Sequence, residues 1–270
     1  SAVDGRVTVT LVFQHIFNAP YIPFVSPGRL ADSLPILEDA LNVARERTTT
    51  RFRLHRELTY LANTYYVSGQ LEDGLRLFEE ALPLCRKDYG PTHFNTVWLM
   101  GRIQATLLRL EHFSEAVDLG KQLVGMAEES LVPNESQLAE FRVAYAESLV
   151  RLNRNDEALE QLDRATASTK ITQINRLRAD NLRAGILVSR GELEKGELLL
   201  VSSTDVMIDN LPEVHIAYQW YVPAAIERVV STFTAQHKLD QVATWKAKLA
   251  DTKMRIEQLQ NGNMQTNQKE

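Results

Sequence analysis

The chain contains little cysteine, glycine or proline. Its 270 residues include one cysteine, 12 glycines and 9 prolines. A single thiol cannot form an internal disulfide, so the fold does not depend on an oxidising compartment, and we expect a cytoplasmic protein. Because glycine and proline mark turns, their scarcity indicates few turns and long elements, which favours helices.

The sequence also lacks a basic excess and long apolar runs. Lys and Arg number 30 against 35 Asp and Glu, a net charge of −5, whereas a nucleic-acid-binding domain is usually basic. We therefore expect no nucleic-acid partner. The longest apolar stretch near the N-terminus, 7–13, is far shorter than the roughly 20 residues of a membrane helix, so we expect no membrane insertion. We see no signal-peptide pattern, and a start at Ser1 rather than Met fits a piece cut from a longer protein.

A repeated pattern runs through most of the chain. Six segments each contain a turn, an apolar residue, two mostly polar residues, a usually small residue and then an amphipathic helical pattern. They lie at 28–41, 69–82, 111–124, 153–166, 191–204 and 237–250, so that successive starts are 41, 42, 42, 38 and 46 residues apart. The slot after the two polar residues holds Ser33, Gly74, Ala116, Ala158, Gly196 and Val242. Small residues at this slot predict a close crossing of two helices, which a large side chain would push apart.

Each repeat is predicted to form a helical hairpin. First helices are predicted at 51–67, 93–109, 135–151, 173–189 and 213–235, and second helices at 30–47, 71–88, 113–130, 155–168, 193–204 and 239–258. Each helix has one apolar stripe. A hairpin of two such helices buries its remaining apolar surface only by stacking on the next hairpin, which predicts an all-α solenoid of about five to six hairpins over 28–258.

The two ends are predicted to differ from the repeats. Residues 1–27 contain Pro20, Pro23 and Pro27, which would break a helix, so we expect an irregular N-terminal cap. Residues 259–270 are polar, and we expect a disordered tail there.

Two stretches resemble a known repeat family. The hairpin at 60–82, YLANTYYVSGQLEDGLRLFEEAL, and the connection at 89–96, YGPTHFNT, resemble the tetratricopeptide repeat. They are similar to the longer variety found in kinesin light chains and many bacterial repeat proteins, in which a linker such as LGPDHPDT joins the hairpins. The resemblance extends over 28–250 and departs from the family pattern at Arg183 and Pro223. It implies a right-handed superhelical α-solenoid whose first helices line a concave groove, and a non-catalytic scaffold for protein–protein interactions.

Similar arrays also follow bacterial serine/threonine kinase domains, notably in planctomycete-like proteins. The resemblance therefore leaves a second interpretation open, in which the chain is the regulatory portion of a larger signalling protein. The chain itself has no Gly-rich loop, no HRD segment and no DFG triplet. The stretch LHRELTY at 54–60 has Glu57 where a kinase has its catalytic Asp, so any kinase domain would lie outside this chain.

Residues for other chemistry are present but not at useful spacings. No two histidines have the spacing of a metal site; the six are His15, His55, His93, His112, His215 and His237. Cys85 would be a nucleophile only with a lowered pKa, and we predict a buried structural thiol instead. We therefore predict no catalytic residue, no metal and no cofactor.

The partner site is predicted on the faces of the first helices that turn away from the second helices. Its residues are Arg56, Tyr60, Asn63, Tyr66, Trp98, Arg102, Arg109, Glu147, Arg151, Arg178 and Asn181. Aromatic residues and Arg dominate binding hot spots, and the amide of Asn63 can both donate to and accept from a peptide backbone. Since Arg outnumbers Glu140 and Glu147 in this groove, we predict an acidic peptide or a C-terminal carboxylate, held by bidentate Arg contacts.

Two alternatives remain open at this point. The groove aromatics could pack against neighbouring helices, and its charges could be ordinary solvated surface. Self-association is the other alternative, because an end with an uncovered apolar stripe could stack on a second copy. Trp220, Tyr221 and Trp245 make the C-terminal unit the candidate for that contact.

Overall fold

The structure is a computed structural model that describes residues 30–46, 54–129 and 135–260. The predicted cap at 1–27 lies outside the described residues, as do residues 261–270 of the predicted tail. Within the described ranges the chain is all-α and contains no strand. This confirms the predicted fold class.

Eleven α-helices and two short 3-10 helices make up these ranges. The α-helices are α1 (Leu30–Glu46), α2 (Leu54–Ser68), α3 (Leu71–Tyr89), α4 (Phe94–Arg109), α5 (Phe113–Glu129), α6 (Glu135–Arg151), α7 (Asn155–Thr166), α8 (Gln173–Ser189), α9 (Leu193–Asp209), α10 (Tyr221–Ala235) and α11 (Leu239–Gln260). The 3-10 helices, Leu211–Glu213 and Ile216–Tyr218, lie between α9 and α10.

Helices that follow each other in the chain pack side by side. Five hairpins pair α2 with α3, α4 with α5, α6 with α7, α8 with α9 and α10 with α11, and each second helix also contacts the first helix of the next hairpin. The first helices α4, α6, α8 and α10 contact one another in the same order. The stacking therefore has the nearest-neighbour arrangement that the incomplete apolar stripes predict.

The backbone of the turns repeats with the period of the sequence. One residue in the turn that follows each of five first helices has a left-handed backbone. These residues are Gly69, Glu111, Asn153, Gly191 and His237, with φ of 84°, 62°, 58°, 85° and 57°. These five residues are the first residues of five of the repeated segments. A left-handed residue closes the C-terminus of a helix, so the hairpins turn alike even where the residue is not glycine.

The small slot brings the two helices of a hairpin together. A Cβ atom on Gly74 would lie 3.1 Å from the carbonyl oxygen of Ala62, and one on Gly196 would lie 2.9 Å from the amide nitrogen of Val188. Ala158, in the same slot, is fully buried. The close crossing predicted from the small residues is confirmed.

One predicted helix is wrong in its first part. The range 213–235 was expected to be continuous helix, but the α-helix begins at Tyr221 and two 3-10 helices precede it. Pro212 opens the first of them, and the Nδ1 atom of His215 caps the second by accepting from the amide of Ala217 at 3.2 Å. Pro223 lies in the first turn of α10, where its missing N–H costs nothing because that amide would have no partner within the helix.

Candidate partner-binding site

The segment between α9 and α10 lies across the first helices. We call residues 211–221 the crossing segment. The term inner wall is used for the faces of α2, α4, α6 and α8 that this segment contacts. It reaches back to a hairpin near the start of the chain, where Trp220 contacts Tyr66, 154 residues earlier. The inner wall is therefore partly covered by the chain itself.

Aromatic side chains anchor the crossing segment. The indole Nε1 of Trp220 donates to the hydroxyl of Tyr66 at 2.7 Å, and the hydroxyl of Tyr218 donates to Glu140 at 2.9 Å. The guanidinium of Arg178 lies 3.3 Å from the ring centroid of Tyr221. Burial, with the charge of Glu140, raises the pKa of Tyr218, so this phenol keeps the proton that it donates.

A cluster of buried charged side chains connects α6, α8 and α10 at the C-terminal end of the inner wall. Arg178 donates to Glu147 at 2.8 Å and to the Oδ1 atom of Asn175 at 2.9 Å. Arg228 of α10 bonds to Asn181 and lies 3.9 Å from Glu147. Burial lowers the pKa of Arg228, with Glu147 opposing that shift. The paired charges join α6, α8 and α10 with little freedom to rearrange, because separating them would leave a buried charge uncompensated.

The structure buries most of the residues predicted for the site. Asn63, Tyr66, Arg102, Glu147, Arg178 and Asn181 are buried; Arg56, Tyr60, Trp98 and Arg109 are half-buried; and Arg151 is exposed. The amide nitrogen of Asn63 donates to the carbonyl of Thr59 in its own helix at 2.9 Å. Much of the predicted groove is thus engaged in contacts within the chain.

The crossing segment divides the predicted residues between two spaces. A cavity of about 230 Å³ is lined by Asn63, Trp98 and Arg102 together with Glu140 and part of the crossing segment. A more open cleft of about 500 Å³ holds Arg109, Glu147 and Arg151, together with Glu111, Glu227 and Arg228. Neither space is lined by Arg56, Tyr60, Tyr66, Arg178 or Asn181. A hydrogen bond of 3.3 Å joins Arg56 to Tyr60.

Comparison with known proteins identifies the repeats. The family model described as "Tetratricopeptide repeat" matches residues 55–129. These residues are thus similar to tetratricopeptide repeats. No curated protein matches the sequence.

Solved structures share the fold of this chain. Kinesin light chain TPR-like repeats from Podosopora anserina are 16% identical with a TM-score of 0.50, and the match covers 76% of this chain and 98% of that one. A Rap protein complexed with competence and sporulation factor is 13% identical, with a TM-score of 0.58 and coverage of 86% and 72%. Aspartyl phosphate phosphatase F from Bacillus subtilis is 15% identical, with a TM-score of 0.64; the match covers 90% of this chain and 59% of that protein. At such identities these matches show the fold alone.

The crossing segment is the part of the fold that the sequence prediction missed. One signal for it exists, because the interval between the fifth and sixth repeats is the longest, at 46 residues. Pro212 and Pro223 flank the aromatic run at 217–221. An insertion between prolines in an otherwise regular array indicates a connection with its own contacts.

The aromatics proposed for self-association do not lie on an open terminal face. Trp220 and Tyr221 belong to the crossing segment, and Trp245 is buried in the core between α9, α10 and α11. These three residues therefore do not form the uncovered stripe on which that alternative depended.

The remaining predictions concern Cys85, metal binding and membrane insertion. Cys85 is buried, with its Sγ atom 3.6 Å from the hydroxyl of Thr96, and burial raises the pKa of its thiol; the prediction of a structural thiol is confirmed. Among the residues with a described position, no three His, Cys, Asp or Glu side chains cluster as a metal site would require. Within these same ranges, no helix combines the length and apolar character that crossing a membrane would take.

Proposed function

We propose that this chain is a non-catalytic interaction module that binds a peptide or protein partner on its inner wall. One observation carries the proposal: the inner wall holds the crossing segment, a stretch of turns and short 3-10 helices that leads into α10, through Tyr66, Glu140 and Arg178. A surface that holds one such segment by side-chain hydrogen bonds and aromatic contacts has the chemistry to hold another. The tetratricopeptide match at 55–129 supports the same function.

The crossing segment indicates what a partner would look like. A partner that replaces it would present aromatic rings to Tyr66 and Arg178, as Trp220 and Tyr221 do. Acidic groups on the partner would compete with Glu111 for Arg151, which lines the open cleft and lies 3.2 Å from that carboxylate. We therefore propose a peptide that combines aromatic and acidic residues.

A regulatory role in a larger signalling protein, such as a bacterial serine/threonine kinase, is the second candidate. The self-covered inner wall favours it, because a partner and the crossing segment compete for the same side chains. The measured association constant is then the intrinsic constant multiplied by the fraction of molecules in which the inner wall is open. A module of this kind responds to anything that moves the crossing segment.

The proposed function is tested by selecting peptides from a displayed library on the wild-type protein. Fluorescence anisotropy then compares the binding of the enriched peptides to the wild type, to the Asn63→Ala, Arg102→Ala double variant and to Arg164→Ala, whose side chain is on the second helix α7. We expect the double variant to bind at least about tenfold more weakly, since hot-spot truncations cost upward of 2 kcal/mol, and Arg164→Ala to bind like the wild type. Equal affinities for all three proteins would contradict the inner wall as the site.

A Trp220→Ala, Tyr221→Ala variant tests the competition separately. Loosening the crossing segment should raise the affinity for the same peptides, because a larger fraction of the inner wall is open. An affinity equal to that of the wild type would show that the crossing segment does not compete with the partner.

A further inference from the structure

The cavity beside the crossing segment is lined by a buried cation, Arg102, that forms no ion pair with any described residue. Arg102 is 7% exposed. Its Nε and Nη2 atoms have no hydrogen-bond partner within the part of the chain that the structure describes. Its contacts are with aromatic faces, at 4.1 Å from the ring centroid of Tyr66 and 5.9 Å from that of Trp98. A buried charge with only these contacts is costly, because aromatic faces recover part of what the guanidinium loses on leaving water.

Arg178 on the same wall shows how the fold satisfies a buried guanidinium. It is 3% exposed, and it donates to Glu147 at 2.8 Å and to Asn175 at 2.9 Å while it stacks on Tyr221. Arg102 also lies against aromatic rings, but no carboxylate of the described ranges bonds to it. The two arginines therefore differ in two acceptor groups, Glu147 and Asn175, which bond to Arg178.

The two unpartnered atoms of Arg102 form one edge of the guanidinium. The N–H bonds of Nε and Nη2 are parallel, and this edge matches the two oxygens of a carboxylate. Arg102 also lines the cavity of about 230 Å³. Drug-sized ligands occupy pockets of about 300–1,000 Å³, so this cavity suits a more compact molecule.

The other residues that line the cavity indicate which further features a ligand must have. Trp98, Phe141 and Ile216 provide apolar surface. Glu140 is the one carboxylate among the lining residues, and it accepts from Tyr218 rather than from Arg102. His215 also lines the cavity, and burial together with the positive charge of Arg102 lowers its pKa, which favours its neutral form. Arg102 is then the cation available to an anionic ligand.

We propose that this cavity binds a compact organic carboxylate, held by two parallel hydrogen bonds from Nε and Nη2 of Arg102 with its apolar body against Trp98 and Phe141. The ligand is a free small molecule rather than a peptide side chain, because residues 215–218 of the crossing segment form one side of the cavity. The site goes beyond the proposed function and does not require a peptide partner. If the proposed function also holds, such a ligand would contact wall and segment together and oppose partner binding.

The test uses the full chain and a panel of acetate, phenylacetate and benzoate, with benzamide as the neutral counterpart of benzoate. Isothermal titration calorimetry and thermal unfolding are measured for the wild type, for Arg102→Gln and for the control Arg164→Gln. We expect at least one carboxylate to bind the wild type and Arg164→Gln, and to bind Arg102→Gln at least about tenfold more weakly, as the loss of a charged hydrogen bond implies. Benzamide should bind none of them.

Three results would overturn the proposal: no carboxylate of the panel binds the wild type, benzamide binds as well as benzoate, or Arg102→Gln keeps the wild-type affinity. Should Arg102→Gln fail to fold by circular dichroism, saturation-transfer NMR on the wild type with benzoate and benzamide decides the question without any variant. Binding by acidic peptides but not by the free acids would also refute it, since the source of the carboxylate would then be a peptide. Failure of the peptide selection leaves this result untouched, so the two proposals can fail separately.

Discussion

Replacing Gly196 by alanine tests whether the small slot sets the distance between the helices of a hairpin. Gly196 is the fourth residue of α9, where this helix crosses α8. A Cβ atom there would lie 2.7 Å from Cγ2 of Val188, 2.9 Å from the amide nitrogen of Val188 and 3.0 Å from the carbonyl oxygen of Ala184. Two of these three neighbours are backbone atoms, which cannot rotate away, so the helices themselves must separate.

The size of the effect follows from two opposing terms. Carbon atoms in contact normally lie about 3.5–4.0 Å apart, so the crossing must open by roughly 0.5–1 Å, and overpacking of this kind costs about 1–3 kcal/mol. Alanine in place of glycine inside a helix recovers up to about 1 kcal/mol. Gly196→Ala should therefore lower the free energy of unfolding by up to about 2 kcal/mol.

Gly125→Ala is the matched control. Gly125 lies inside α5, and a Cβ atom on it would have no neighbour within 4 Å, so only the favourable helix term applies. The difference between the two variants, about 1–3 kcal/mol, then isolates the overpacking. Urea unfolding by far-UV circular dichroism gives the midpoints, and hydrogen exchange of α8 and α9 peptides shows whether the loss is local. A Gly196→Ala midpoint at or above that of Gly125→Ala would refute the assignment of the slot.

Four further predictions concern single residues. Trp220→Phe removes the indole donor to a buried tyrosine hydroxyl and should cost about 1 kcal/mol; unchanged hydrogen exchange in α2 and the crossing segment would argue against that anchor. His237→Gly relieves a left-handed residue and should raise the free energy of unfolding by up to about 1 kcal/mol, whereas a lower unfolding midpoint would contradict the reasoning. Cys85, with its raised pKa, should react with a thiol reagent at neutral pH only after unfolding in urea, and rapid reaction of the folded protein would disprove its burial. The hydrogen bond to Glu38 raises the pKa of Tyr65 to about 12, so Glu38→Gln should shift one tyrosine to lower pH in an ultraviolet titration, and an unchanged titration curve would exclude that contact.

The sequence determined the repeating part of the fold because that part depends on local signals. Apolar stripes, the small slot and the turn residues recur with each repeat, and each concerns contacts within one hairpin or with the next. The helices α6 (Glu135–Arg151) and α8 (Gln173–Ser189) accordingly have the predicted bounds. Buried Cys85 follows from the same local pattern, since it lies on the apolar stripe of α3 together with Phe78 and Ala81.

Only the tertiary structure decided how the inner wall is used. The residues predicted for the site are on the first helices, as their spacing requires, but the sequence period carries no information on a contact between Tyr66 and Trp220, 154 residues apart. That contact depends on how the small rotations between successive hairpins add up along the stack, which brings the connection before α10 back to α2. Arg178 meets the carboxylate of Glu147 on the neighbouring first helix, whereas Arg102 lies against aromatic rings, a difference that two arginines on first helices of similar pattern do not reveal in the sequence.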